Sequence, residues 1–450
     1  MLLLANHSLS LNQKTMFIQY LTKEASSRFG IILLIMALTL SNFCAKAQQK
    51  PRIFISTDIG GTDPDDFQSM IHLLMYADLF QIEGLVSTSF QTGRKKDILD
   101  MIDLYEKDLP KLLKHKKGFP EPASLRNVCK QGATAWAPYA GLRKSTEGSE
   151  WLISCAKKSI DQPLWVLVWG GIEDVAQALH DAPEIKDKIR VYWIGGPNKK
   201  WGVNAYDYIA ENHPDLWMIE CNATYRGWFM DSESPKDITA EAYYPNYIKG
   251  RGEMGKDFIK YYKGHIKMGD TPSLAYVMHG EPENPAGESW GGTFTPITRS
   301  SKTIFTGNST AADTVATYGV IEWRFDGPAL NVPADSTVFT LSIGGQQWPG
   351  YYIGNGKYAV RYSPKQVEVG EYVTISSIEQ LNGQKGKYVS TAPWPGKPKP
   401  NDYKLGRHWY GDLPNPELFL SQQQGAKTVS KFRKEFLMDW AKRWAWLERD

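Results

Sequence analysis

Cysteine is scarce in this chain, with four in 450 residues. Only Cys129, Cys155 and Cys221 lie beyond the N-terminal segment, and an odd three allows at most one disulfide and leaves a free thiol. No Cys-x-x-Cys and no Cys/His group with zinc spacing occurs, which excludes cysteine-based metal chemistry. Long basic runs are also missing and the net charge is only +3, which argues against nucleic acid as a partner. After residue 47 no apolar stretch is long enough to span a membrane. From about 301 to 400, helical periodicity is absent too.

What is present is an ordinary globular composition, 42% hydrophobic and 22% charged. The length suits two domains. Aromatic residues are plentiful, with 16 Trp and 23 Tyr, a composition that serves large cores and sugar-stacking surfaces alike. The first 47 residues read as a secretory signal peptide: Arg28, then an apolar stretch from Phe29 to Leu40, then Ala45-Lys46-Ala47 as the cleavage pattern. The long leader leaves Met16 as an alternative start. Cys44 invites a lipoprotein reading, but Phe43 before it is too bulky for such a site. The mature protein is expected to be secreted or periplasmic, without a membrane span.

From Arg52 to about Met278, strands and helices alternate. Ile53-Phe54-Ile55, Gln81 to Thr88, Leu164 to Trp169, Ile189 to Ile194 and Leu216 to Glu220 read as strands. Glycine pairs follow two of them, Gly170-Gly171 and Gly195-Gly196. This is an α/β pattern with a mainly parallel sheet flanked by helices. Residues 48–300 form that unit. Residues 301–400 read as a small all-β insertion of sandwich type, with Asn382-Gly383 as a hairpin turn and Pro393 to Pro400 as an exit linker. Residues 401–450 end in a helix with Phe432, Phe436, Trp440 and Trp444 spaced by four, which is expected to pack on the α/β unit.

The most telling segment is Asp58-Ile59-Gly60-Gly61-Thr62-Asp63-Pro64-Asp65-Asp66. It joins a buried strand to a helix carrying Phe67, Met70, Ile71 and Leu74 on one face. Strand-to-helix turns at the carboxyl end of an open sheet are where ligands bind. One or two acids there would suit the helix dipole. Four acids crowded with glycines suit a divalent cation, and oxygen ligands point to Ca²⁺ or Mg²⁺.

This loop resembles the aspartate motif of nucleoside hydrolases, Asp-x-Asp-x-Gly-x-Asp-Asp. Ser56 stands where the first Asp is usual, and three further residues lengthen the loop. These departures resemble a secreted bacterial nucleoside-hydrolase-like branch associated with cellulose binding, over roughly Arg52 to Trp290 and the terminal helix. The resemblance implies Ca²⁺ held by the carboxylates of Asp58, Asp66 and Asp270 and by the main-chain carbonyl of Trp169. It implies a carboxylate base on the same loop, for which Asp58 and Asp65 are both candidates. Ile194-Gly195-Gly196 resembles the turn lining the sugar site. Asp270 lies in Gly269-Asp270-Thr271-Pro272, where the family has His in place of Gly269. The chemistry of the residues is compatible: a carboxylate removes a proton from water, and the water attacks an anomeric carbon with inversion. An Asp before Thr-Pro also fits a plain helix cap.

Candidates for the proton donor to a leaving group are Glu173, Asp174, Asp207, Glu211, His213, Glu220 and His279. Asn204, Asp207, Asn222 and Trp290 are candidate substrate contacts, and Trp348, Tyr351 and Tyr352 a candidate glycan platform. The expected function is a Ca²⁺-dependent hydrolase of N- or O-glycosyl bonds on a small molecule or glycan. A carbohydrate-binding protein without turnover is the alternative. A metal-dependent phosphatase lacks its nucleophile pattern, since Asp58 is followed by Ile-Gly-Gly. Homo-oligomerisation is left open.

Overall fold

The computed structural model describes residues 49–90, 94–230 and 235–447. The expected signal peptide, with Cys44 and Met16, lies outside the described residues.

The first strand, β1 (Arg52–Thr57), is buried along its whole length. Its alternating faces feed two cores, Ile53 and Ile55 on one side and Phe54 on the other. Strands β2 (Gln81–Ser87), β3 (Cys129–Gln131), β4 (Leu164–Val168), β5 (Ile189–Ile194) and β6 (Met218–Cys221) follow, with β7 (Phe294–Pro296) last before the β region. The sheet order is β3-β2-β1-β4-β5-β6, then strand Trp409–Asp412, then β7. Neighbours are parallel except at β7, which runs antiparallel to Trp409–Asp412. Gly84 is required in β2 because a Cβ there would come within 2.3 Å of the Phe54 ring.

The order reverses between β1 and β4. The chain winds outward from β1 through β2 to β3, then returns to β1's other side. Such a switch point opens a crevice beyond the carboxyl ends of the two strands. Asp58 leaves β1 there, and Trp169-Gly170-Gly171 leaves β4.

The region between β7 and Trp409–Asp412 is all-β. Eight strands form one hydrogen-bonded sheet: Thr314–Ala316, Lys385–Thr391, Glu368–Ile375, Thr337–Ile343, Gln346–Gly354, Lys357–Tyr362, Val320–Asp326 and Lys302–Thr306, in that spatial order. It curls over its own core, since Trp323 on one limb lies 4.7 Å from Tyr372 and 6.0 Å from Tyr388 on the other. The stretch expected as an exit linker is packed instead. Trp394 is buried, its backbone N–H donates to Gln424 Oε1 at 2.9 Å, and Gln424 Nε2 donates back to its carbonyl at 2.8 Å. Proline and glycine there shape a seam, and the buried Trp anchors it.

Pro51–Asp450 is a single compact unit containing both sheets. The helix Arg433–Ala445 buries Phe436, Trp440 and Trp444 in the core that also holds Ile53 and Ile71. Phe436 stacks on Trp228 at 3.7 Å and Trp440 on Tyr243 at 5.3 Å. Cys129, Cys155 and Cys221 are buried free thiols. Among the described residues no helix is long and apolar enough to cross a membrane.

Candidate metal and glycosyl site

The acidic loop is shaped by its glycines. Gly60 adopts a φ of +85°, and Gly61 N–H donates to the Asp58 carbonyl at 2.9 Å. The turn delivers Asp65 and Asp66 to the first turn of helix Asp65–Met75. Asp58 lies against the glycines after β4: a Cβ on Gly170 would fall 2.6 Å from the Asp58 Cβ. Trp169 N–H donates to the Ser56 carbonyl at 2.7 Å, tying the two strand ends together.

Asp270 arrives from far along the chain. Gln68, on the helix of the acidic loop, accepts from the N–H of Lys267 at 2.9 Å and of Met268 at 3.2 Å. Met268 holds a φ of +50°, a left-handed conformation unusual for a side chain of that size. This bent segment delivers Gly269 and Asp270. Asp65, Asp66 and Asp270 then present carboxylate oxygens all within 4.8 Å of one another. Asp58 hydrogen-bonds Asp66. Asp66 also accepts from the Thr57 hydroxyl, and Asp65 Oδ2 accepts from Gly269 N–H at 3.0 Å.

Asp270 precedes helix Thr271–Met278 but makes no side-chain cap hydrogen bond. Its Oδ2 is buried and has no partner. A helix cap would not leave that oxygen bare, whereas a cation ligand would. Two ligands at about 2.4 Å from one Ca²⁺ lie at most about 4.8 Å apart, so the spread of the three carboxylates suits one shared ion.

Electrostatics point the same way. Burial raises Asp65, Asp66 and Asp270 well above the usual carboxylate range, and the neighbouring carboxylates push further in the same direction. Burial likewise raises Asp58 to about 7, against the hydrogen bond from Asp66. Lys267 pairs with Asp63 and lies 3.6 Å from Asp65 Oδ2. Burial alone would raise Asp63, but its hydrogen bond with Asp65 and the Lys267 charge hold it below the usual value.

Gly269 occupies the place of the family's His. A Cβ there would stand 2.5 Å from Asp65 Oδ2, so the Asp65 carboxyl fills the space a side chain would need.

The other candidates fall in different surroundings. Asp207 is taken up by Lys302 at 2.6 Å, Arg361 at 3.0 Å and the Tyr403 hydroxyl at 2.6 Å. Asn204 joins the same seam, donating to the Ala137 carbonyl and accepting from Arg361. These two tie the α/β part to the β part. Trp290 stacks on His279 at 4.7 Å and faces Phe436 of the terminal helix. It therefore belongs with that aromatic packing, which also accounts for His279. Asn222 is fully buried, accepting from Gly196 N–H at 3.2 Å and donating to Glu220 at 3.0 Å. It braces the Gly195-Gly196 turn. Of the proposed platform, Tyr352 lies in the β core with its hydroxyl accepting from Leu330 and Gly356 N–H groups, and Trp348 stacks on Trp201.

Glu220 is paired with Lys199 at 2.6 Å, Glu211 with Lys302 at 3.1 Å, and Asp174 accepts from Ala133 N–H and the Thr146 hydroxyl. Glu173 differs. Its Oε2 accepts from the Ser89 hydroxyl at 2.8 Å, but its Oε1 is buried without a partner. Burial raises its pKa to about 7.

Several site residues escaped the sequence reading. A cleft of about 390 Å³ opens beside Asp58 and Asp63, walled by Phe90, Trp136, Trp201 and Lys200 and capped by Lys365 of the β part. Tyr225 lies between Gly196 and Gly269. Asp412 accepts from the N–H groups of Asn222, Ala223 and Thr224, fixing the end of β6.

A family model described as cellulose-binding Sde182, nucleoside hydrolase-like domain, matches residues 52–294. A domain of unknown function, DUF5060, matches residues 314–377. Among solved structures the chain is similar to a nucleoside hydrolase-related hypothetical protein from Saccharophagus degradans that is associated with carbohydrate metabolism. That match has 17% identity and a TM-score of 0.46, over 76% of this chain and 100% of that one. It is also similar to an inosine-uridine preferring nucleoside hydrolase from Bacillus anthracis, at 16% identity and a TM-score of 0.34, over 60% of this chain and 87% of that one. No curated protein matched. The first of these models spans more than half of the chain, with the acidic loop, the β4 turn and Asp270 inside it, and the protein belongs to the family of cellulose-binding Sde182 nucleoside hydrolase-like domains.

Proposed function

We propose that this protein is a secreted, Ca²⁺-dependent hydrolase of glycosyl bonds acting on a carbohydrate. The observation that carries the proposal is the bare, buried Asp270 Oδ2 among carboxylates within 4.8 Å of each other. Asp66 and Asp270 would hold the ion, with Asp65 the third carboxylate within reach of it, and Asp58 and the Trp169 carbonyl at the neighbouring strand ends would complete the set. A bound Ca²⁺ supplies a Lewis acid that makes a nearby water easier to deprotonate.

The chain's own groups divide the remaining work. Asp65 is the base: Gly269 N–H holds its Oδ2 at 3.0 Å, which fixes the carboxyl beside Asp66 and Asp270. Asp58 is the alternative in that role. Glu173 is the proton donor, because its Oε1 is uncommitted and its raised pKa keeps it protonated near neutrality.

The test is sugar release from nucleosides, nitrophenyl glycosides and polysaccharides, with and without chelator. Release that stops with EDTA and returns with Ca²⁺ is expected. Asp65→Asn should still bind Ca²⁺ through Asp66 and Asp270 and lose a factor of about 10² to 10⁴ in kcat. If it stays nearly fully active, the base role moves to Asp58. The occupied space at Gly269 favours a second reading, a carbohydrate-binding protein without turnover. Sugar binding with no release from any substrate would select it.

A further inference from the structure

Lys199 and Lys200 are neighbours with opposite circumstances. Both are buried, at 0% and 5% exposure. Lys199 has a carboxylate partner, Glu220, at 2.6 Å. Lys200 has no salt bridge among the described residues. Its ammonium hydrogen-bonds the Gln346 side chain and lies over the rings of Trp201, at 4.8 Å, and Trp348, at 4.9 Å. Glu368 acts on it only through space. Burial, then the charge of Lys365, holds its pKa down at about 8.

An ammonium buried without an anion is costly, and a second cation on the same wall adds to the cost. Lys200 and Lys365 both line the cleft beside Asp58. Trp136 and Trp201 line it too, stacked at 4.6 Å and 17° and both partly exposed. The cleft thus brings two acids, Asp58 and Asp63, two lysines and aromatic surface into one lining.

We propose that this cleft selects a sugar bearing an anionic substituent, foremost the carboxylate of a hexuronic acid, held between Lys200 and Lys365. The ring lies against the partly exposed Trp136, which Trp201 backs, and the glycosyl bond turns toward Asp58. A neutral glucan leaves the buried Lys200 without an anion. The assignment rests on the glycosyl-site reading above, but its test reads binding, not turnover.

Calorimetry in Ca²⁺ buffer would compare methyl β-D-glucuronide with methyl β-D-glucoside, and methyl α-D-galacturonide with methyl α-D-galactoside. Glucose 6-sulfate against glucose tests whether sulfate serves in place of carboxylate. The acidic member of at least one pair should bind about tenfold more tightly, the worth of a charge-assisted hydrogen bond. Lys200→Met should abolish that preference, and Lys365→Ala, at an exposed position, should reduce it at least threefold. If Lys200→Met does not fold, the exposed Lys365→Ala carries the test. Equal affinity within every pair overturns the proposal, as does a preference that survives Lys365→Ala or a folded Lys200→Met. Charge-selective binding without hydrolysis of any glycoside would overturn the hydrolase reading and leave this one standing. Hydrolysis without charge selectivity would do the reverse.

Discussion

Strand β1 starts on a fully paired carboxylate and ends beside a crowd of carboxylates. At its first residue, Arg52 holds Glu83 in a two-pronged contact at 2.7 and 3.0 Å, and Lys158 joins at 3.0 Å. Beyond its last residue, Asp58, Asp65, Asp66 and Asp270 crowd together, with Lys267 beside Asp65. Both clusters are largely buried. The first is complete within the chain, so it serves the fold. The second holds a surplus of carboxylates, the arrangement on which the proposed cation site rests. Lys199 and Lys200 repeat the contrast with the opposite sign of charge.

The comparison is sharpest where a group does chemistry. Glu173→Gln should lower kcat by about 10² to 10⁴ on glycosides with unactivated leaving groups, while nitrophenyl glycosides lose far less. The wild-type rate should also fall above about pH 7, where Glu173 loses its proton. Steady-state kinetics over pH 5–9 on both substrate types checks this. An equal loss on both would remove Glu173 from the donor role.

Charge removal should then have opposite effects at the two ends. Arg52→Ala leaves Glu83 with Lys158 as its cation and should cost about 1–3 kcal/mol of stability. Asp270→Asn removes one of several repelling carboxylates and should raise the melting temperature of the metal-free protein. Thermal melts in EDTA compare the two. A loss of stability in Asp270→Asn would mean that the acids are satisfied without a cation.

pH dependence sharpens the same comparison. Asp58 titrates at 3.8 when unfolded and at about 7 when folded, so the metal-free fold holds its proton where the unfolded chain does not. Stability should therefore fall as pH rises from about 4 to 7. Added Ca²⁺ should raise the melting temperature more at pH 7.5 than at pH 5. A calcium shift independent of pH would contradict the account.

How much of this the sequence disclosed depended on how far apart the partners lie. Asp58, Asp65 and Asp66 share one loop between a strand and a helix, so their crowding was visible directly. Asp270 was readable through its resemblance to a motif, and its missing cap bond separates a ligand from a helix cap. Asn204 and Asp207 looked like free polar residues because Lys302, Arg361 and Tyr403 come much later in the chain. The cleft walls were invisible for the same reason, since Trp136, Lys200 and Lys365 belong to separate segments. Strand Trp409–Asp412 is too short to show alternation, and it joins β6 only because the β part returns the chain to that edge.

The central claim is that the acids at the end of β1 are one cation site. Isothermal titration of the EDTA-treated protein with CaCl₂ at pH 7.5, for wild type, Asp270→Asn and Asp66→Ala, tests it most directly. The account predicts one Ca²⁺ per chain in the wild type and none detectable in either variant. No binding to the wild type, or binding that persists in a folded Asp270→Asn, would contradict it.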